Sequence, residues 1–156
     1  MILLKLRGRS GRKEEQGKMI QATDTDLKAF IDDWQESPER NKDIFLRYKA
    51  QLERDDKIQL EFIPRPGITY SLRATHAAQK TRKLFVMIDV IEDNPRWLSL
   101  CFYGDMITDP EGKGDVVPGG LLGEDAVCFD LEAWDEERVR YVEARLDEAY
   151  QRSAQE

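Results

Sequence analysis

The chain has 156 residues, with 24 Lys or Arg against 31 Asp or Glu, for a formal net charge of −7. That length suits one domain that buries a core without metal or disulfide staples. The acidic balance argues against a general nucleic-acid binder, which needs clustered bases for phosphate contacts, and the absence of any run of 18 apolar residues argues against a membrane-spanning helix.

Residues 1–18 (MILLKLRGRSGRKEEQGK) hold six bases and two acids, a net +4, which leaves 18 bases and 29 acids, or −11, in the other 138 residues. The apolar run Ile2 to Leu4 is too short for a signal-peptide core, so this stretch reads as a disordered basic leader and residues 19–156 as one domain. Thr23 is placed to cap a helix with Leu27, Phe30, Ile31 and Trp34 on one face. Ser37-Pro38 reads as the cap and first residue of a second helix. Its stripe is Ile44, Phe45, Tyr48 and Leu52, and it runs to about Asp55.

The period then switches from helical to two. Ile58, Leu60 and Phe62 form a strand that ends at the turn Pro64-Arg65-Pro66-Gly67. Ile68, Tyr70, Leu72 and Ala74 alternate with polar residues in a second strand. Leu84 to Ile91 is apolar on both parities, which predicts a strand covered on both faces. Asp93-Asn94-Pro95 turns into Trp97–Tyr103, a long loop covers 104–125, and Ala126–Leu131 is the last strand. Asp135 caps a final helix whose stripe is Val139, Val142, Leu146, Ala149 and Tyr150. Short links favour antiparallel pairing. The expected fold is therefore α+β, in the order ααβββββα, with an antiparallel sheet of about five strands and helices on one face.

Several familiar chemistries fail on spacing. The loop 104–125 contains Gly112-Lys113, but Ile107 stands where a phosphate loop needs glycine, and Gly114 where it needs Ser or Thr. An EF-hand counted from Asp109 puts Lys113 and Gly120 at ligand positions. Six scattered acids (Asp105, Asp109, Glu111, Asp115, Glu124, Asp125) leave weak divalent-metal binding as an open alternative. His76 is the only histidine, which excludes multi-histidine metal sites, and its strand parity suits a packed, strand-end position. Cys101 and Cys128 are too few for a disulfide framework and read as small, reduced, buried residues in a cytoplasm.

Parity leaves one surface of interest. Leu84, Val86, Ile88, Val90, Leu98, Leu100, Phe102, Val127, Phe129 and Leu131 form an apolar bed for helices. The other face mixes Phe85, Met87, Asp89 and Ile91 with Trp97, Ser99, Cys101, Tyr103 and Asp130. If the second strand joins with its polar parity, Ser71 and Arg73 share that face, and Arg73 is the natural partner for Asp89. Residues 62–88 contain no acid but hold Arg65, Arg73, Lys80, Arg82 and Lys83. This basic island is placed either to meet an anion or to neutralise the acidic 104–125 loop.

The phrases YSLRATH, LFVMIDVI, WLSLCFYGDMITDP and VPGGLLGED…CFDL, spread between Ile58 and Tyr150, resemble a family of small bacterial proteins without an assigned activity. The resemblance implies a compact cytoplasmic α+β domain and supplies no site residues. In layout alone the chain is also similar to frataxin-type folds.

The expectation is a non-enzymatic binding protein. Its site comprises Arg73, Asp89, Trp97, Tyr103 and Asp130, which would take a small ligand or a protein partner. No cofactor, nucleic acid or membrane is expected, and an exposed aromatic face would favour a homodimer. The enzymatic alternative uses Asp89 or Asp130 with His76 or Arg73, and requires those side chains to converge.

Overall fold

The computed structural model describes residues 23–156, in two units, one ending at Trp34 and one running from Gln35 to Glu156. The leader expected over 1–18 lies outside the described residues. In the first unit, helix α1 spans residues 23–33. Its apolar spacing buries Leu27, Phe30 and Trp34, and the rings of Phe30 and Trp34 lie 5.4 Å apart.

The second unit comprises helix α2 (Asn41–Leu52) and strands β1 (Ile58–Arg65), β2 (Thr69–His76), β3 (Val86–Ile91), β4 (Trp97–Tyr103), β5 (Asp115–Leu121) and β6 (Glu124–Leu131). Helix α3 (Glu136–Ala154) closes the chain, and a 3-10 turn at Gly104–Met106 follows β4. The strands form one open sheet in the order β1-β2-β3-β4-β6-β5, every pair antiparallel. Among the described residues the fold is α+β, with three helices and a six-stranded sheet, one strand more than expected.

The extra strand is β5, DVVPGGL, inside the segment read as a loop. Pro118, Gly119 and Gly120 are strand breakers in a central position, but an edge tolerates them because one side of the backbone has no partner to lose. The pairing with β6 is irregular between Val117 and Leu121, where those residues fall. Helix α2 also starts later than expected. Pro38 lies in a turn, Arg40 takes a left-handed backbone (φ 61°), and the helix begins at Asn41. A tertiary contact fixes this start: buried Asn41 donates through Nδ2 to the carbonyls of Arg96 (2.7 Å) and Glu132 (3.0 Å).

The apolar parity of the sheet forms the core. Leu72, Ile88, Leu100 and Phe129 are neighbours in register across four strands, and all four are fully buried. Burying each such side chain contributes about 1.5–3 kcal/mol. Helices α2 and α3 cover this face, with contacts from α2 to β4 and from α3 to β2 and β6. Tyr48 Oη donates to the Val139 carbonyl at 2.9 Å, and the Arg47 guanidinium forks onto Glu143 at 2.9 and 3.2 Å, which ties the two helices together. Asp135 caps α3 as read, accepting from the amides of Glu137 and Arg138.

Candidate functional site

Register sorts the other face into rows. Ile63, Ser71, Asp89, Ser99 and Asp130 run across five strands in one row. The adjacent row is Glu61, Arg73, Met87, Cys101, Cys128 and Asp115. Thr69, Ile91 and Trp97 flank the first row, while Tyr103 and Ala126 lie beyond the second. Met87, Asp89, Ile91, Trp97, Ser99 and Asp130 are half-buried, whereas Ser71, Cys101 and Cys128 are buried.

The five predicted residues thus share one face without forming one cluster. Arg73 Nε donates to Ser71 Oγ at 3.3 Å, and Ser71 bonds the Asp89 carboxylate in the next strand. No direct Arg73–Asp89 ion pair forms among the described residues, so the expected partner acts through a serine and at longer range. Burial raises the Asp89 pKa above the ordinary carboxylate value, while the Ser71 bond and the charges of Arg73 and Arg65 pull the other way. Trp97 is anchored by its Nε1, which donates to Asp93 Oδ2 at 3.1 Å. Asp130 lies two strands from Asp89, about 10 Å away at the usual strand spacing. Tyr103 lies four residues along β4 from Ser99, the partner of Asp89, or about 13 Å from that row.

Arg73 and Tyr103 meet at a groove of about 340 Å³, lined also by Glu61, the β2–β3 loop (Thr81 to Leu84) and the β5–β6 turn (Leu122, Glu124). Arg82 forms one wall. Its guanidinium grips Asp105 bidentately at 2.6 and 3.0 Å, reaches Glu124 at 2.7 Å, and lies 4.1 Å over the Tyr103 ring. These contacts hold the Asp105 carboxyl below its ordinary pKa and the Arg82 guanidinium above its own, while burial raises Tyr103. At Arg82, then, the basic island and the acidic loop do neutralise each other. Arg73 and Lys83 have no carboxylate within ion-pair distance among the described residues.

The geometry separates His76 from the other residues of the enzymatic alternative. His76 has the parity of Tyr70, Leu72 and Ala74, which puts it on the opposite side of the sheet from Asp89, Asp130 and Arg73. It is buried at the end of β2. Nδ1 accepts from the Ala78 amide at 3.0 Å, which leaves the proton of the neutral ring on Nε2, 3.7 Å from Asp55 Oδ2. Tyr150 Oη donates to the same carboxylate oxygen, and its ring lies edge-on to His76 at 5.7 Å. The Tyr150 bond and the Lys57 amide keep Asp55 below its ordinary pKa. Sequence reasoning missed this cluster because its members lie on α3, at the end of β2 and in the α2–β1 link.

Among the described residues no three His, Cys, Asp or Glu side chains are grouped to hold an ion. Asp105 and Glu124 are held by Arg82. Asp109 accepts from the Lys113 and Gly114 amides and from Tyr141 Oη, and Asp125 accepts from the Gly119 amide. The cysteine expectation is also corrected. Cys101 and Cys128 stand opposite each other in register with Cα atoms 4.1 Å apart, and they form a disulfide. Linear spacing, 27 residues, carries no hint of this proximity; only the β4–β6 pairing creates it.

Among the described residues no helix is long and apolar enough to cross a membrane. No family model, curated protein or solved structure matches the chain, so the likeness to a family of small bacterial proteins rests only on the phrases that suggest it.

Proposed function

We propose that this is a non-enzymatic binding protein that takes a small molecule on the mixed face of its sheet, at the end occupied by Arg73 and Tyr103. One observation carries this reading: the mixed face ends in a groove of about 340 Å³ where polar, charged and aromatic side chains from five separate segments converge. That volume falls at the small end of ligand sites, and walls that combine apolar surface with a few polar groups are their usual form. A small ligand fits this concavity better than a flat protein partner does. A cytoplasmic setting belongs to the same proposal.

A thermal-shift screen of metabolites and nucleotides on the full chain tests the reading. At least one compound raises the melting temperature, and Arg73→Ala removes the shift without lowering the melting temperature of the free protein by more than a few degrees. Stabilising compounds whose effect survives Arg73→Ala, Lys83→Ala and Asp89→Ala alike would place binding elsewhere and end the proposal.

A further inference from the structure

We infer that the groove beside Arg73 takes a small amphipathic monoanion, a carboxylate carried on an apolar or aromatic body. This assignment rests on the binding reading above and adds the ligand class.

Charge sets the head group. Three cations line the groove, Arg73, Arg82 and Lys83, against two acids, Glu61 and Glu124. Arg82 is already saturated by Asp105 and Glu124, so it shapes the wall and offers no free donor face. Arg73 keeps its guanidinium free of carboxylates, with only Nε engaged on Ser71, and Lys83 is exposed and forms no ion pair among the described residues. An unpaired arginine in a concavity matches a planar carboxylate through two parallel N–H···O bonds. Glu61 stands beside Arg73 in the register of β1 and β2, where it repels a second negative charge. The site therefore favours one charge over a polyphosphate.

Backbone strain sets the body of the ligand. The two-residue turn between β5 and β6 is Leu122-Gly123, with φ of 52° and 88°. Such a turn prefers Asn-Gly, because a branched side chain is strained at positive φ. Here a leucine takes the strained place, is 52% exposed, and projects into the groove lining. Nothing in the hairpin requires it. Leu84 and Tyr103 also line the groove but are only 2% and 1% exposed, with the Tyr103 ring under Arg82, so Leu122 supplies its exposed apolar surface. An exposed, strained apolar residue lining a groove with unpaired cations is accounted for by a hydrophobic ligand body packed against it.

The test is calorimetric titration and thermal melting of the full chain with benzoate and 3-phenylpropionate. Acetate, inorganic phosphate and benzyl alcohol serve as head-only and body-only controls. The arylcarboxylates raise the melting temperature in a saturable way and the controls do not. Arg73→Ala and Lys83→Ala each weaken binding about tenfold, the loss expected for one charge-assisted hydrogen bond, and Leu122→Asn weakens it while leaving the hairpin folded. Equal shifts with inorganic phosphate, or affinity unchanged in both Arg73→Ala and Lys83→Ala, would overturn the assignment. A shift produced only by an uncharged metabolite and abolished by Trp97→Ala would refute the monoanion while leaving a binding face in place.

Discussion

Single residues carry the sharpest consequences of this fold. Gly114 donates its amide to Asp109, and a Cβ there would lie 2.4 Å from Val127 Cγ1 and 2.8 Å from Phe129 Cζ. Gly114→Ala therefore overpacks the site, at a cost of about 1–3 kcal/mol, measurable as a lowered denaturation midpoint with an unchanged slope. Leu122→Asn has the opposite sign: it relieves a positive-φ leucine and raises stability by about 1 kcal/mol. A gain in stability paired with a loss of ligand would mark Leu122 as a residue kept for binding. Asp89 provides a pH signature. Its folded pKa is raised by burial, so its protonated form favours the fold; that contribution is complete below the ordinary aspartate range and is lost as pH rises through the raised value. Asp89→Asn is therefore expected to gain stability relative to the wild type between acid and neutral pH, in paired melts across that range. A difference that shrinks toward neutrality would reverse the sign argued here.

At the scale of elements, β4 shows what period-two reading does well. Trp97–Tyr103 alternates in burial over its first four residues and has a clean turn before it, so its bounds were legible. The Asp135 cap was legible for a local reason as well, since its acceptor contacts lie two and three residues away. Strand β5 was not, because Pro118-Gly119-Gly120 is turn chemistry everywhere except on an edge. The Cys101–Cys128 bond and the Asp55–His76–Tyr150 cluster depend on pairing between distant segments, which no local spacing encodes. Of the candidate site, the shared face of Arg73, Asp89, Trp97 and Asp130 followed from parity, but the groove depended on the β5–β6 turn and stayed hidden. Closing a loop between cysteines 27 residues apart restricts the unfolded chain by about 3–4 kcal/mol in the chain-entropy description. Reduction, or the double replacement by serine, should lower the unfolding free energy by that order. Equal stability of oxidised and reduced protein would show that the bond adds nothing.

At the scale of the molecule, the net charge of −7 resolves into parts with different roles. The acid-free segment 62–88 meets the acidic loop at Arg82, where two carboxylates and an aromatic ring fix one cation. Of the segment's other cations, Arg73 and Lys83 are left facing a groove. Asp105 and Glu124 are largely exposed, so salt screens this clamp, and acidification removes it as the depressed Asp105 carboxyl takes up its proton. A small-ligand site at the Arg73–Tyr103 end of the sheet is the central claim. Amide chemical-shift mapping on the labelled full chain, titrated with 3-phenylpropionate, tests it most directly. The account predicts saturable shifts centred on Arg73, Lys83, Tyr103 and Leu122. Shifts confined to the separate concavity lined by Gln51, Asp55 and Tyr150 would contradict it.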